Sequence, residues 1–188
     1  MFELETARLR LRPLATRDLP ELSSMLADPA VMQHSLRGVC DGATTRHFLD
    51  WCFDCYINYR TGPLALVDRH GGEFVGFSGV SPERIKGVTE WNLGYRLAKR
   101  YWGQGLATEA ALASLEHAFE EKRFDSVVAI VEPEHAASLR VVEKAGFVGF
   151  DAMRFHKRPV RLYRMRRAQW LQRDTKEHAE AEMAVLGK

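Results

Sequence analysis

The segment Arg96-Leu-Ala-Lys-Arg100-Tyr-Trp-Gly103-Gln-Gly105-Leu-Ala-Thr108-Glu-Ala limits what this chain can fold into more than any other. Before it, Thr89 to Leu97 (TEWNLGYRL) alternates polar and apolar residues as a β-strand does. After it, LATEAALASLEHAFEE is rich in Ala, Leu and Glu, and Leu106, Ala110, Ala113, Leu115 and Phe119 partly follow the helical period. A strand must therefore hand over to a helix through Gly103 and Gly105, and the helix start leaves several backbone N–H groups without partners. The missing Cβ atoms let a phosphate approach those groups, and the helix N-terminus adds roughly half a positive charge. The turn is an anion site, or else a tight loop that holds nothing. A dinucleotide is one candidate ligand, because Glu132 ends the next strand where a ribose-binding acid could stand. Against it, a dinucleotide turn follows a strand buried on both faces, whereas this one interleaves Thr89, Glu90, Asn92 and Arg96 with apolar residues. A Walker loop fails, since no Gly-Lys-Ser or Gly-Lys-Thr follows the glycines.

The rest of the chain supplies one fold around this turn. RLRLRPL at 8–14 reads as a strand with one wet face, and Thr16 or Asp18 can cap a helix over roughly 18–27 that stops at Asp28-Pro29. A second amphipathic helix covers 44–60, where Phe48, Trp51, Cys52, Cys55 and Tyr59 recur at helical spacings. GPLALVD (62–68) and EFVGFSGV (73–80) flank Arg69-His70-Gly71-Gly72 as a hairpin. SVVAIV (126–131) is a strand, 136–145 a helix stopped by Gly146, and strand patterning returns from Phe147. The expectation is an α+β class fold, a single-domain mixed and mostly antiparallel central sheet flanked by helices, with crossover helices after the strands ending at Leu97 and Val131. The domain is expected over residues 1–170 and a polar C-terminal tail over 171–188.

With 188 residues, 46% apolar and 28% charged, the composition is that of a soluble domain, and the net charge of +2 creates no field that attracts nucleic acid or membrane. The first twenty residues hold charges throughout, so no secretory core or membrane span is expected there and the chain is assigned to the cytoplasm. Cys40, Cys52 and Cys55 are too few for a disulfide framework and lack zinc-ligand pairing, so no metal is expected.

Arg100-Tyr-Trp-Gly103-Gln-Gly105 resembles the R/Q-x-x-G-x-G/A pyrophosphate loop of the GNAT superfamily of N-acetyltransferases. Its flanks resemble the ribosomal-protein N-terminal (alanine/serine) acetyltransferase branch through TARLRLRPL, ADPAVMQ, LGYRLAKRYWGQGLATEA, PEHAASLRVVEKAGF and RLYRM, across roughly residues 5–170. The resemblance implies acetyl-CoA as cosubstrate, with cofactor contacts from Leu97, Arg100, Gly103, Gln104, Gly105, Leu106, Ala107, Thr108 and His135. It also implies direct transfer to a primary amine, a peptide N-terminus or a small molecule, with a homodimer compatible. The alternatives are a dinucleotide-binding oxidoreductase and a non-catalytic CoA-binding or interaction module.

Transfer needs an acceptor for the amine proton, a donor for the oxyanion and an acid for the leaving thiolate. Glu90 is the first candidate base, since the strand period puts it on one face with Asn92, Gly94 and Arg96; the alternative is a solvent-facing carboxylate. Relatives often carry Glu where Asn92 stands and Asn where His135 stands. His135 could assist proton transfer or be a surface histidine at a helix start. The tyrosine that some relatives use as acid is replaced by Val142, which leaves Ser138 as acid or orienter, or as a helix cap.

Two further features are given structural readings. Trp51-Cys52-Phe-Asp-Cys55 resembles a redox motif but lies mid-helix, where the spacing puts both thiols on one packed face. Residues 154–173 hold eight of the 27 Lys and Arg and no acid. An edge strand's wet face explains them better than a nucleic-acid patch, and some could instead meet the CoA 3′-phosphate or an anionic acceptor.

Overall fold

The computed structural model describes residues 3–35 and 38–173, so the tail expected over 171–188 lies outside the described residues except for 171–173, which are helical. Eight strands form one sheet in the order β1-β2-β3-β4-β5-β6-β8-β7, and every neighbouring pair is antiparallel except β5 with β6. The strands are β1 Leu4–Glu5, β2 Leu9–Pro13, β3 Pro63–Asp68, β4 Phe74–Ile85, β5 Val88–Leu97, β6 Ser126–Val131, β7 Asp151–Phe155 and β8 Arg158–Arg166. Helices α1 Leu19–Leu26, α2 Pro29–Met32 and α3 Gly42–Tyr59 lie between β2 and β3; α4 Leu106–Glu116 joins β5 to β6, and α5 Ala136–Lys144 joins β6 to β7. Both crossovers are where the sequence puts them, since β6 runs parallel to β5, and β7 lies beyond β8 in the same direction as β6.

Local chemistry sets the boundaries. Asp28 and Asp41 accept hydrogen bonds from Ala30 N (2.8 Å) and Thr44 N (2.8 Å), which starts α2 and α3. Pro29 thus opens a short helix as well as closing the previous one. Strand β4 runs five residues past the expected Val80, through Pro82 to a hairpin at Lys86-Gly87 with φ of 49° and 84°. Proline is tolerated because beyond Gly79 only β5 pairs with β4.

The two faces of the sheet have separate cores. Helices α1 to α3 cover one face through Leu22, Leu49, Ala65, Val67 and Phe77, with Cys52 among them. Helix α4 covers the other through Leu9, Leu64, Leu66, Val75, Leu97 and Leu106, and continues with α5 over Leu93, Phe119, Val127 and Phe147. Cys52 and Cys55 are fully buried free thiols raised by burial, Cys55 to about 11, so neither is a reactive thiolate at neutral pH. The basic segment needs one correction. Strand β8 is interior and β7 is the edge; three of the β8 arginines have partners within the chain, Arg158 with Glu132, Arg164 with Glu90, and Arg161 over the Phe150 ring.

Candidate active site

Strands β5 and β6 touch at one register pair, Asn92 with Val128, and then part. From Leu93 to Leu97, β5 therefore has no neighbour on its β6 side, and its backbone groups line a cleft of about 590 Å³ that pierces the sheet. One end reaches Gly103, Gly105, Leu106, Ala107 and Thr108; the other opens among Met32, His34, Cys40, Phe48 and Trp51 from the α1–α3 side.

The glycine turn has the conformation its residues suggest. Gly103 and Gly105 sit at φ 74° and 78°, in the left-handed region, and Gly105 is the residue before α4. The first paired N–H at the start of α4 is that of Glu109, to the Gly105 carbonyl (3.1 Å), and the amides from Gly103 to Thr108 have no backbone partner among the described residues. Arg8 braces the turn, with Nη1 donating to the Gln104 carbonyl (2.8 Å) and Nε to Glu109 (2.7 Å). Burial would raise the Glu109 pKa, but Thr6 and Arg8 outweigh it and hold Glu109 as a carboxylate. Of the expected cofactor residues, Leu97, Gly103, Gly105, Leu106, Ala107, Thr108 and His135 line the cleft. Arg100 turns away, with Nη2 near the Phe74 carbonyl (3.4 Å) and the guanidinium over Tyr101, and Gln104 folds back to the Arg100 carbonyl (3.0 Å).

Glu90 lies outside the cleft lining. Its carboxylate takes two hydrogen bonds from Arg164 (2.7 and 3.0 Å), which lower its pKa and leave it a weak base. A different titratable group occupies the cleft. His34 Nδ1 donates to Glu132 Oε2 (2.9 Å), Glu132 Oε1 pairs with Arg158 Nε (2.8 Å), and the His34 ring stacks on His135 at 4.1 Å between centroids. Because a carboxylate only accepts, Nδ1 carries a proton, and in the singly protonated ring Nε2 is the bare nitrogen. Burial, with His34 and Arg96 nearby, lowers the His135 pKa to about 4 and keeps that ring neutral. On the opposite side Tyr95 Oη lies 2.6 Å from Ser138 Oγ, so Ser138 is bound to a tyrosine and is not a helix cap. Burial raises the Tyr95 pKa to about 12, which keeps its proton in place.

Residues 8–148 match the acetyltransferase (GNAT) domain. The chain belongs to the GNAT acetyltransferase family. The YkkB protein of Bacillus subtilis (strain 168) is 35% identical over 162 residues, 86% of this chain and 94% of its own. The crystal structure of the acetyltransferase from Agrobacterium tumefaciens str. C58 superposes with a TM-score of 0.77 at 28% identity, covering 88% of this chain and 94% of that one. The ribosomal L7/L12 α-N-protein acetyltransferase in complex with coenzyme A shares the fold at 19% identity, with a TM-score of 0.71 over 88% of this chain and 98% of its own. For this GNAT acetyltransferase the resemblance put Met32-Gln33-His34-Ser35 and Trp51 on the acceptor side, where Met32, His34, Ser35 and Trp51 do line the cleft, but it gave His34 no chemical role, missed Tyr95, and assigned Glu132 only to the dinucleotide alternative. His34 is 98 residues from Glu132, and no local spacing relates them. The Tyr95 contact was legible in part, since residue 95 must face opposite to Asn92 and Arg96.

Proposed function

We propose that this protein moves an acetyl group from acetyl-CoA directly to a primary amine, on a peptide N-terminus or a small molecule. The observation that carries the reading is the opening between β5 and β6, which runs from the unpaired amides at Gly103–Thr108 to the His34–Glu132 pair. The residues present fit the cosubstrate. Amides at a helix start suit a pyrophosphate, and the free edge of β5 offers alternating backbone donors and acceptors to an extended chain. Bound there, acetyl-CoA supplies an acetyl group activated as a thioester. An N–H at the open edge near Leu97 stabilises negative charge on the carbonyl oxygen. His34 Nε2, held by Glu132, takes the proton released by the attacking amine, directly or through a water, while Arg158 holds Glu132 in turn. The departing sulfur takes a proton from the Tyr95–Ser138 hydroxyl pair, whose 2.6 Å contact supports a shared proton.

Calorimetric titration with acetyl-CoA and with NAD, followed by turnover on N-terminal peptides, polyamines and aminoglycosides, tests the reading. The expected result is tight acetyl-CoA binding, none for NAD, and acetylation of at least one amine class. NAD binding alone would restore the dinucleotide alternative, and CoA binding without turnover on any amine would make the protein a binding module.

A further inference from the structure

Arg96 projects into the cleft with no hydrogen bond or ion pair to any described residue, although it is half-buried. Cys40 and His135 are among its titratable neighbours, and no carboxylate of the described residues pairs with it. A desolvated guanidinium without a counter-ion is costly, so such a group in an open cleft is most stable when a ligand brings the anion. Two residues along the same face, at Gly94, a Cβ would meet nothing within 4 Å, so the floor beside Arg96 is bare. Two residues further, Asn92 presents a buried Oδ1 that has no hydrogen-bond partner among the described residues. Asn92 and Arg96 are roughly 13 Å apart along the strand at Cα, and both residues line the cleft. One end of the gap accepts an N–H, the other binds an anion.

The face on which they stand decides which substrate they meet. Leu93 and Leu97 pack under α4 and α5, on the side of the glycine turn, whereas Ala98, of the same parity as Asn92, Gly94 and Arg96, packs with the α1–α3 core. Arg96 therefore faces the half of the cleft remote from the proposed pyrophosphate site, and on the same side as His34.

Resting on the acetyltransferase reading above, we infer that the acceptor is an amine that also carries a carboxylate, lying over Gly94 with its nitrogen toward Asn92 Oδ1 and His34 and its carboxylate on Arg96. A free amino acid and a peptide with an acidic residue near its N-terminus both supply that chemistry. Polyamines do not, because Arg96 would face a second cation with no carboxylate between them.

The test uses matched pairs that differ only in the anion: an amino acid against its amide, and an N-terminal peptide with Asp or Glu at its second position against the same peptide with Asn or Gln. Acetylation by the full chain and by Arg96→Gln is measured, together with equilibrium binding of the N-acetylated products to the protein–CoA complex. The wild type should favour the anionic member of at least one pair by about 10-fold to 100-fold in kcat/KM, the size of a charge-assisted hydrogen bond. Arg96→Gln should remove that preference through KM while the acetyl-CoA Kd is unchanged. Which pair responds distinguishes amino acids from peptides. Equal or better use of the neutral member, or of polyamines, overturns the inference and leaves the transferase reading standing. A matching loss of acetyl-CoA affinity in Arg96→Gln also overturns it, by assigning Arg96 to the donor. Arg96-dependent binding of the anionic product without turnover supports the anion site and sinks the transferase reading instead. Absence of both binding and turnover sinks both.

Discussion

Glu90 on β5 reaches past β6 to Arg164 on β8, one pleat before the point where β5 and β6 part. Arg164 also donates to Ser126 Oγ on β6 (2.9 Å), so the pair ties three strands at the closed end of the cleft. Glu90→Gln should therefore lower stability by about 1 kcal/mol, a figure kept small because both side chains are partly exposed. Its folded pKa is depressed, so the stabilisation is complete above the unfolded value of ~4.3 and fades as pH falls through the folded one. Denaturation curves of variant and wild type should converge in acid, and kcat should stay within about threefold. A large loss of kcat that is repaired at high pH would restore Glu90 as the base.

Gly105 can be tested without ambiguity about space, because an added Cβ would meet only Arg8 Nη2, at 3.6 Å. Gly105→Val and Gly105→Ala should each cost about 1–2 kcal/mol for an L-residue at φ 78°. The affinity for CoA should fall by at least 10-fold in Gly105→Val, because the side chain stands where phosphate approaches. Calorimetry on the folded variants would show unchanged affinity if the phosphate lies elsewhere.

His34→Gln should reduce kcat by about 100-fold with little change in the acetyl-CoA Kd. The deficit should narrow as the pH rises past ~8, where an α-amine deprotonates by itself. Glu132→Gln should behave the same way but more mildly, since an amide oxygen still accepts from Nδ1 without the negative charge. A pH-independent deficit in both would make the pair a scaffold for the α2–α3 connection.

His135 makes a separate prediction for stability. Its pKa is about 4 in the fold and ~6.5 when unfolded, so only the unfolded chain takes up its proton between those values. Stability must fall as pH drops from ~6.5 to ~4, and His135→Asn should remove that slope. After allowance for partial exposure, the variant should gain about 1 kcal/mol on the wild type between pH 7.5 and pH 4.5, read from urea denaturation.

What the sequence made legible follows from how local each signal is. The strand, glycine turn and helix are fixed by residues within a few positions of one another, and all three are present; the strand starts one residue earlier, at Val88, and the helix expected to Glu121 is α-helical to Glu116 and continues as a π-turn over His117–Glu121. The edge assignment of β8 failed because Arg158 and Arg164 alternate like wet-face residues, while the acids that receive them, Glu132 and Glu90, lie far away in the chain. Glu90 was chosen by strand period alone, which gives a face but not a partner. His34 could be put on the acceptor side but its role escaped for the same reason: it belongs to a loop between helices, and its alignment with Glu132 exists only after the α1–α3 layer has docked on the sheet.

Strand β5 works as a ruler whose odd and even marks are read by different molecules. Residues 93, 95 and 97 address the layer of α4 and α5, and 92, 94 and 96 address the α1–α3 side, the proposed acceptor mouth. Substitutions can retune either set alone, whereas inserting or deleting one residue within the strand would exchange the two. Donor handling and acceptor choice are thus free to diverge by point mutation while the length of this ten-residue strand is not.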